Sequence, residues 1–169
     1  MAGCMRAKAV TYRGRYASVL REVGVPEPFD VDLFCANVAA QRGRRVQLHE
    51  LPVGIGRVCG LYVSLPAVDH VYYATGTSPR HQQHIIVHEL MHLLFEHGGL
   101  RGFSTDVLER LLPGLDPGLV RAALARGGYS DPEEREAETL ASLVMDHARG
   151  APPGMGGDPV AARIETAFG

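Results

Sequence analysis

The most constraining feature of this 169-residue chain is the segment from Ser78 to Gly99, which reads SPRHQQHIIVHELMHLLFEHGG. Ser78 followed by Pro79 is typical of a helix start and Gly98-Gly99 of a helix end, so the segment predicts one helix of about five turns. Projected at about 100° per residue, apolar side chains cover most of this helix, and histidines and glutamates share the remaining arc. We therefore expect a buried helix whose polar stripe opens onto a cleft or an ion.

The polar stripe contains the pattern His88-Glu89-Leu90-Met91-His92. Residues four apart lie on the same face of a helix, so the imidazoles of His88 and His92 can reach one ion. Imidazole nitrogens suit zinc, and a carboxylate beside the ion can accept a proton from water that the ion activates. The pattern predicts Zn²⁺ as cofactor, His88 and His92 as ligands and Glu89 as the catalytic base. A surface helix that carries histidines by coincidence is the alternative, and the wide apolar arc disfavours it.

A catalytic zinc ion usually has three protein ligands, so a third is expected elsewhere in the chain. The segment Tyr129-Ser130-Asp131-Pro132-Glu133-Glu134 is typical of a helix start, with Asp131 as N-cap and Pro132 at the first helical position. This helix is expected to continue to about residue 149. It is long enough to present a ligand to the helix that bears His88 and His92.

On this second helix, Glu136 is predicted to share the buried face with a stripe of larger side chains, Leu140, Leu143, Val144 and His147. By the same projection, Glu134 and Glu138 point to the opposite side. A carboxylate on a buried face needs a positive partner, so Glu136 is the predicted third metal ligand. Glu133, one turn earlier, is the rival ligand, and a buried salt bridge from Glu136 to an arginine is the alternative.

The rest of the chain predicts an α+β protein. Helices are expected around residues 13–22 and 30–41, three short, mostly antiparallel strands between residues 46 and 74, and two short helices within residues 103–127. The fold would be a small three-stranded sheet packed on a helical core. We expect one domain over residues 1–149, followed by a Gly/Pro-rich tail at residues 150–169 that ends in a short helix.

Composition narrows the possible partners and the compartment. A net charge of −2 argues against direct binding of nucleic acid, and no apolar run is long enough for a membrane span. The cysteines, Cys4, Cys35 and Cys59, are odd in number and widely spaced, which indicates a reducing compartment and no role as zinc ligands. We therefore expect a cytoplasmic protein.

Together, HELMH at 88–92 and EREAETLASLVM at 134–145 resemble the ImmA/IrrE family of bacterial metallopeptidases, which have a compact gluzincin-like fold. The resemblance covers about residues 30–149. It implies zinc on His88, His92 and Glu136, with Glu89 as the catalytic base. It also implies a substrate, because characterised members cut helix-turn-helix transcriptional repressors; here the repressor would be a separate protein.

The chain departs from the family pattern at two positions. Met91 stands where many members have Gly. Leu140 stands where related gluzincins place an acidic residue four positions after the ligand, so another group has to orient the histidines, for which Asp146 and His147 are candidates.

The sequence therefore predicts a zinc-dependent endopeptidase. A non-proteolytic module that controls a repressor by binding, and a toxin-like metallopeptidase with an antitoxin, are the alternatives. The residue that stabilises the oxyanion stays open among five candidates, Tyr72, Tyr73, His84, His97 and Tyr129. The lone histidines His49 and His70 are expected to be structural or exposed.

Overall fold

The computed structural model describes residues 16–51, 59–98 and 129–147, which form four helices and a three-stranded sheet. In chain order the elements are α1 (residues 16–23), α2 (Val31–Arg42), β1 (Arg45–Glu50), β2 (Gly60–Ser64), β3 (Val68–Tyr73), α3 (Pro79–Leu94) and α4 (Asp131–His147). The predicted α+β class, with a small sheet on a helical core, is confirmed. The predictions for residues 103–127, for the tail at 150–169 and for Cys4 lie outside the described residues.

The sheet has β3 at its centre. β3 pairs antiparallel with β2 and parallel with β1, so the sheet is mixed and one of its two strand pairs has the expected antiparallel direction. The chain turns tightly between β2 and β3, where the amide of Leu65 donates to the carbonyl of Val68. β1 then occupies the other side of β3. Alternation along a strand shows which face is apolar but says nothing about the direction of its neighbours.

Helix α3 begins where the sequence predicts. The Ser78 side chain accepts a hydrogen bond from the amide of His81, and Pro79 occupies the first helical position. The helix ends at Leu94, before Gly98, because Glu96 takes a left-handed conformation with φ 55°. Amides after the helix then bond back to its last carbonyls, which satisfies acceptors that have no helical partner.

Helix α3 is the centre of the hydrophobic core, as its wide apolar arc predicts. Val87, Leu90 and Met91 are fully buried, and they pack in one cluster with residues of the other helices and of the sheet. Helix α3 contacts α4, on which the small residues Ala137 and Ala141 are fully buried. Alanines let two helix backbones approach closely, which brings the polar side chains at the edges of the contact within reach of each other.

A buried charged network joins α2, the sheet and the end of α3. Asp69 on β3 is fully buried and accepts hydrogen bonds from Nε of Arg42 at 2.8 Å and from the Ser64 hydroxyl at 2.6 Å. Arg42 also donates to the carbonyl of Leu93 at 2.9 Å. The carboxylate is thus paired and hydrogen-bonded, as a buried charge must be.

Among the helices that lie in the described residues, none combines the length and the apolar character needed to cross a membrane.

Candidate metal centre

Two histidines on successive turns of α3 direct one ring nitrogen each to the same point. Nε2 of His88 and Nε2 of His92 lie 3.0 Å apart, and the rings are steeply inclined to each other at 69°. His92 is fully buried and His88 is partly buried. The structure thus brings together the two histidines that the sequence predicts as metal ligands.

The carboxylate that completes this group is Glu134, in the first turn of α4. Its Oε2 lies 3.4 Å from Nε2 of His88 and 3.8 Å from Nε2 of His92. Within the described part of the chain, His88, His92 and Glu134 form the group of side chains that could hold a metal ion. Glu134 is about half exposed, so the group lies at the edge of the contact between α3 and α4 and opens to solvent on that side.

Glu136, the sequence-predicted third ligand, does not belong to this group. Its Oε1 lies 3.5 Å from Nε2 of His97. The difference arises from the rotation of α4 about its axis: the fully buried line of this helix is Ala137, Leu140, Ala141 and Val144. At about 100° per residue, Glu134 lies closer to the middle of that line than Glu136 does. The projection from sequence used only large side chains, whereas the fully buried line also includes Ala137 and Ala141.

The rival carboxylate, Glu133, has a structural role. It accepts hydrogen bonds from the amides of Ser130 at 2.6 Å and of Gly98 at 3.3 Å, and so caps the start of α4 and ties it to the chain after α3. These bonds, against an opposing effect of burial, lower its pKa. Glu133 is not in the group formed by the two histidines.

The donor atoms fit a tetrahedral ion. Ligands held about 2.0–2.1 Å from zinc at tetrahedral angles are roughly 3.3 Å from one another. The triangle of Nε2, Nε2 and Oε2 has sides of 3.0, 3.4 and 3.8 Å, which bracket that value. Burial lowers the pKa of His92 to about 2 and also lowers that of His88, so both imidazoles are neutral and keep a lone pair for a metal.

Each histidine also has a polar neighbour at its other ring nitrogen. Nδ1 of His88 lies 3.4 Å from Oε2 of Glu138, but the two atoms are not aligned for a hydrogen bond. The same Glu138 carboxylate lies 3.2 Å from Nε2 of His84. Nδ1 of His92 lies 2.9 Å from Nδ1 of His97. The groups around the histidines are therefore Glu138 and His97, and His147, a sequence candidate for this task, contacts Glu27 instead at 4.0 Å.

Glu89, the predicted catalytic base, is buried between α3 and strand β2. Burial raises its pKa to about 8, a hydrogen bond from Tyr129 partly offsets this effect, and the charge of Glu134 adds to it. The hydroxyl of Tyr129 donates to Oε2 of Glu89 at 3.2 Å, while the Tyr129 ring stacks on the His92 imidazole with centroids 3.5 Å apart. A buried carboxyl with a strongly shifted pKa, adjacent to a cluster of possible ligands, is typical of a functional site.

Space for Glu89 depends on a residue without a side chain. A Cβ built on Gly60 at the start of β2 would lie 2.6 Å from Oε1 of Glu89 and 2.7 Å from Cγ2 of Ile85. Any other residue at this position would force the Glu89 or the Ile85 side chain to shift. Neither Gly60 nor the contacts of Tyr129 and His97 with this group could be found from the sequence, because they join separate elements.

Of the five sequence candidates for oxyanion stabilisation, two contact residues of the centre. Tyr129 contacts His92 and Glu89, and His97 contacts Nδ1 of His92. His84 lies one turn before His88 and contacts Glu138. Tyr72 is on the sheet, where its ring stacks on His49 with centroids 4.8 Å apart. His49 and His70, which were expected to be structural or exposed, form a pair with Nε2 and Nδ1 2.9 Å apart.

The sequence matches no protein-family model, and it has no significant match among curated proteins or solved structures. The similarity to the ImmA/IrrE metallopeptidases therefore rests on the two segments at residues 88–92 and 134–145.

Proposed function

We propose that this chain is a zinc-dependent endopeptidase. The observation that carries the proposal is the triangle of Nε2 of His88, Nε2 of His92 and Oε2 of Glu134, beside the buried carboxyl of Glu89. Three neutral or anionic N and O donors, one open side and an adjacent general base are the components of a hydrolytic zinc site. The neutral imidazoles and the spacing of the donor atoms support zinc as the ion.

His88, His92 and Glu134 would hold the ion. Zinc bound there supplies a Lewis acid, which polarises the scissile carbonyl and lowers the pKa of water to about 7. Glu134 is the ligand nearest to solvent, so substrate would approach from the open edge between α3 and α4. Glu138 and His97 contact the histidine nitrogens that face away from the ion and keep the two rings in place.

Glu89 acts as general base and then as general acid. It accepts a proton from the attacking water and later passes that proton to the leaving amine. A carboxyl group performs both tasks best when its pKa is near the working pH, and burial raises the pKa of Glu89 into that range. Tyr129 holds the carboxylate by a hydrogen bond to Oε2, and Gly60 leaves room for Oε1.

The proposed substrate is a separate helix-turn-helix transcriptional repressor. This part of the proposal rests on the resemblance of HELMH and EREAETLASLVM to the ImmA/IrrE metallopeptidases. Cleavage of such a repressor would release the genes that it controls.

Metal analysis of the purified protein tests the centre. We expect about one zinc per chain in the wild type, loss of zinc in His92→Ala and Glu134→Ala, and retention in Glu133→Ala, the matched control from the same helix turn. Retention of zinc in Glu134→Ala and loss in Glu136→Ala would assign the third ligand to Glu136. A wild type that takes up no zinc would overturn the proposal.

Cleavage assays with candidate repressors test the activity. Glu89→Gln should keep the zinc and lose peptide hydrolysis, because the isosteric amide cannot accept the proton. If Glu89→Gln still relieves repression, the protein acts by binding. If expression of the wild type arrests growth and that of Glu89→Gln does not, the toxin-like alternative gains support.

A further inference from the structure

The two ring nitrogens of His92 have different neighbours. Nε2 faces His88 and Glu134, whereas Nδ1 lies 2.9 Å from Nδ1 of His97. Beyond it, Nε2 of His97 lies 3.5 Å from Oε1 of Glu136. The three side chains form a line that begins at the candidate metal centre and ends at a carboxylate on α4. His92 and His97 are both buried, so this line is the environment that decides where their protons lie.

The way α3 ends explains why His97 lies beside His92. Glu96 is left-handed, the amide of His97 bonds to the carbonyl of His92 at 3.0 Å, and the amide of Glu96 bonds to the carbonyl of Leu93 at 3.4 Å. These two bonds define a Schellman motif, in which the second residue after the cap packs on the residue that lies three positions before the cap. Here that contact joins two imidazoles. The Tyr62 hydroxyl also donates to the carbonyl of His97, which fixes the turn.

Only one arrangement of protons suits a metal on His92. A lone pair on Nε2 of His92 puts its proton on Nδ1, and the neighbouring Nδ1 of His97 then has to accept that proton's hydrogen bond. His97 consequently carries its own proton on Nε2. Nε2 of His97 lies 3.5 Å from Oε1 of Glu136, and the negative charge of that carboxylate favours a proton on Nε2 over one on Nδ1.

We infer that His97 and Glu136 are positioning residues for the metal centre: His97 holds the tautomer and ring orientation of His92, and Glu136 holds the tautomer of His97. The inference rests on the proposed function and extends it. It also gives Glu136 a role that is distinct from the ligand role expected from sequence. Partners of this kind typically change metal affinity by about 10- to 100-fold when they are removed.

Zinc affinity, measured by competition with a chromophoric chelator, tests this inference without any activity assay. We expect His97→Ala to weaken zinc binding by about 10- to 100-fold and Glu136→Ala to weaken it by less. His97→Asn, whose side-chain oxygen can accept the bond from Nδ1 of His92, should restore most of the affinity. His81→Ala removes an exposed histidine of the same helix and should leave the affinity unchanged.

The double variant His97→Ala/Glu136→Ala shows whether Glu136 affects zinc affinity through His97 or independently of it. If Glu136 acts through His97, adding Glu136→Ala to His97→Ala should cause little further loss. With Co²⁺ as a probe, the visible bands should keep their four-coordinate intensity in both single variants, because no ligand is removed. Melting of the metal-free variants shows that they are folded.

The outcomes of this experiment distinguish the inference from the proposed function. A wild type that binds no zinc overturns both. Zinc binding in the wild type with equal affinity in His97→Ala overturns only the positioning role. Loss of the four-coordinate Co²⁺ spectrum in Glu136→Ala, with retention in Glu134→Ala, would make Glu136 a ligand and also overturn it.

Discussion

Gly60 and Glu89 are so close that a single methyl group does not fit between them. A Cβ at position 60 would lie 2.6 Å from Oε1 of Glu89, so β2 passes α3 at a distance that only glycine allows. The strand therefore limits where the carboxylate can lie. The edge of the sheet and the proposed catalytic base are therefore in direct proximity.

The first prediction concerns this contact. Gly60→Ala should lower peptidase activity by about 100-fold, because a displacement of the base by roughly 1 Å has an effect of that size. The zinc content should stay unchanged, since no ligand is touched. Gly76→Ala is the matched control, as a Cβ there meets nothing within 4 Å. Full activity in Gly60→Ala would show that Glu89 is not confined by β2.

The second prediction concerns the stability of the metal-free protein. Burial raises the folded-state pKa of Glu89 to about 8, above its unfolded value, so the protonated carboxyl stabilises the fold at low pH and that stability is lost as the pH rises towards 8. Glu89→Gln keeps the shape and removes the charge. In EDTA at pH 8, we expect its free energy of unfolding to exceed that of the wild type by roughly 3–5 kcal/mol.

At pH 4.5 the two metal-free proteins should be nearly equal in stability, because the Glu89 carboxyl is then protonated in the folded state and half protonated in the unfolded state. Urea denaturation at both pH values measures the difference. Equal stability of the two proteins at pH 8 would contradict a raised pKa of the buried Glu89 carboxyl.

The third prediction concerns the hydroxyl of Tyr129. Tyr129→Phe keeps the ring that stacks on His92 and removes the hydrogen bond to Glu89, a bond that lowers the pKa of that carboxyl. The pKa of Glu89 should therefore rise, and the acidic limb of the pH profile of kcat/KM should move to higher pH. If the acidic limb of the kcat/KM profile and the value of kcat are both unchanged in Tyr129→Phe, the hydroxyl does not act on Glu89.

The fourth prediction concerns the buried pair of Arg42 and Asp69. Arg42→Leu should lower the free energy of unfolding by about 3–5 kcal/mol, because it leaves the carboxylate of Asp69 buried without its main cation. Arg45→Leu replaces an exposed arginine at the start of β1 and should change stability by less than about 0.5 kcal/mol. Thermal melting of both variants tests the contrast.

Much of the fold could be predicted from local signals. Ser78 and Pro79 mark the start of α3, and the apolar arc of that helix predicts its burial, because caps and periodicity act within one element. The direction of β1 relative to β3 could not be predicted. It depends on which edge of the β2–β3 hairpin remains open, and that is a relation between separate parts of the chain.

In the candidate site, too, some features follow from the sequence and others only from the tertiary structure. The sequence by itself determined that His88 and His92 share one face of a helix with Glu89 next to them, because four-residue spacing and helix geometry are local. The tertiary structure alone decided which carboxylate meets them. The rotation of α4 against α3, with Ala137 and Ala141 on its fully buried line, places Glu134 rather than Glu136 at the histidines.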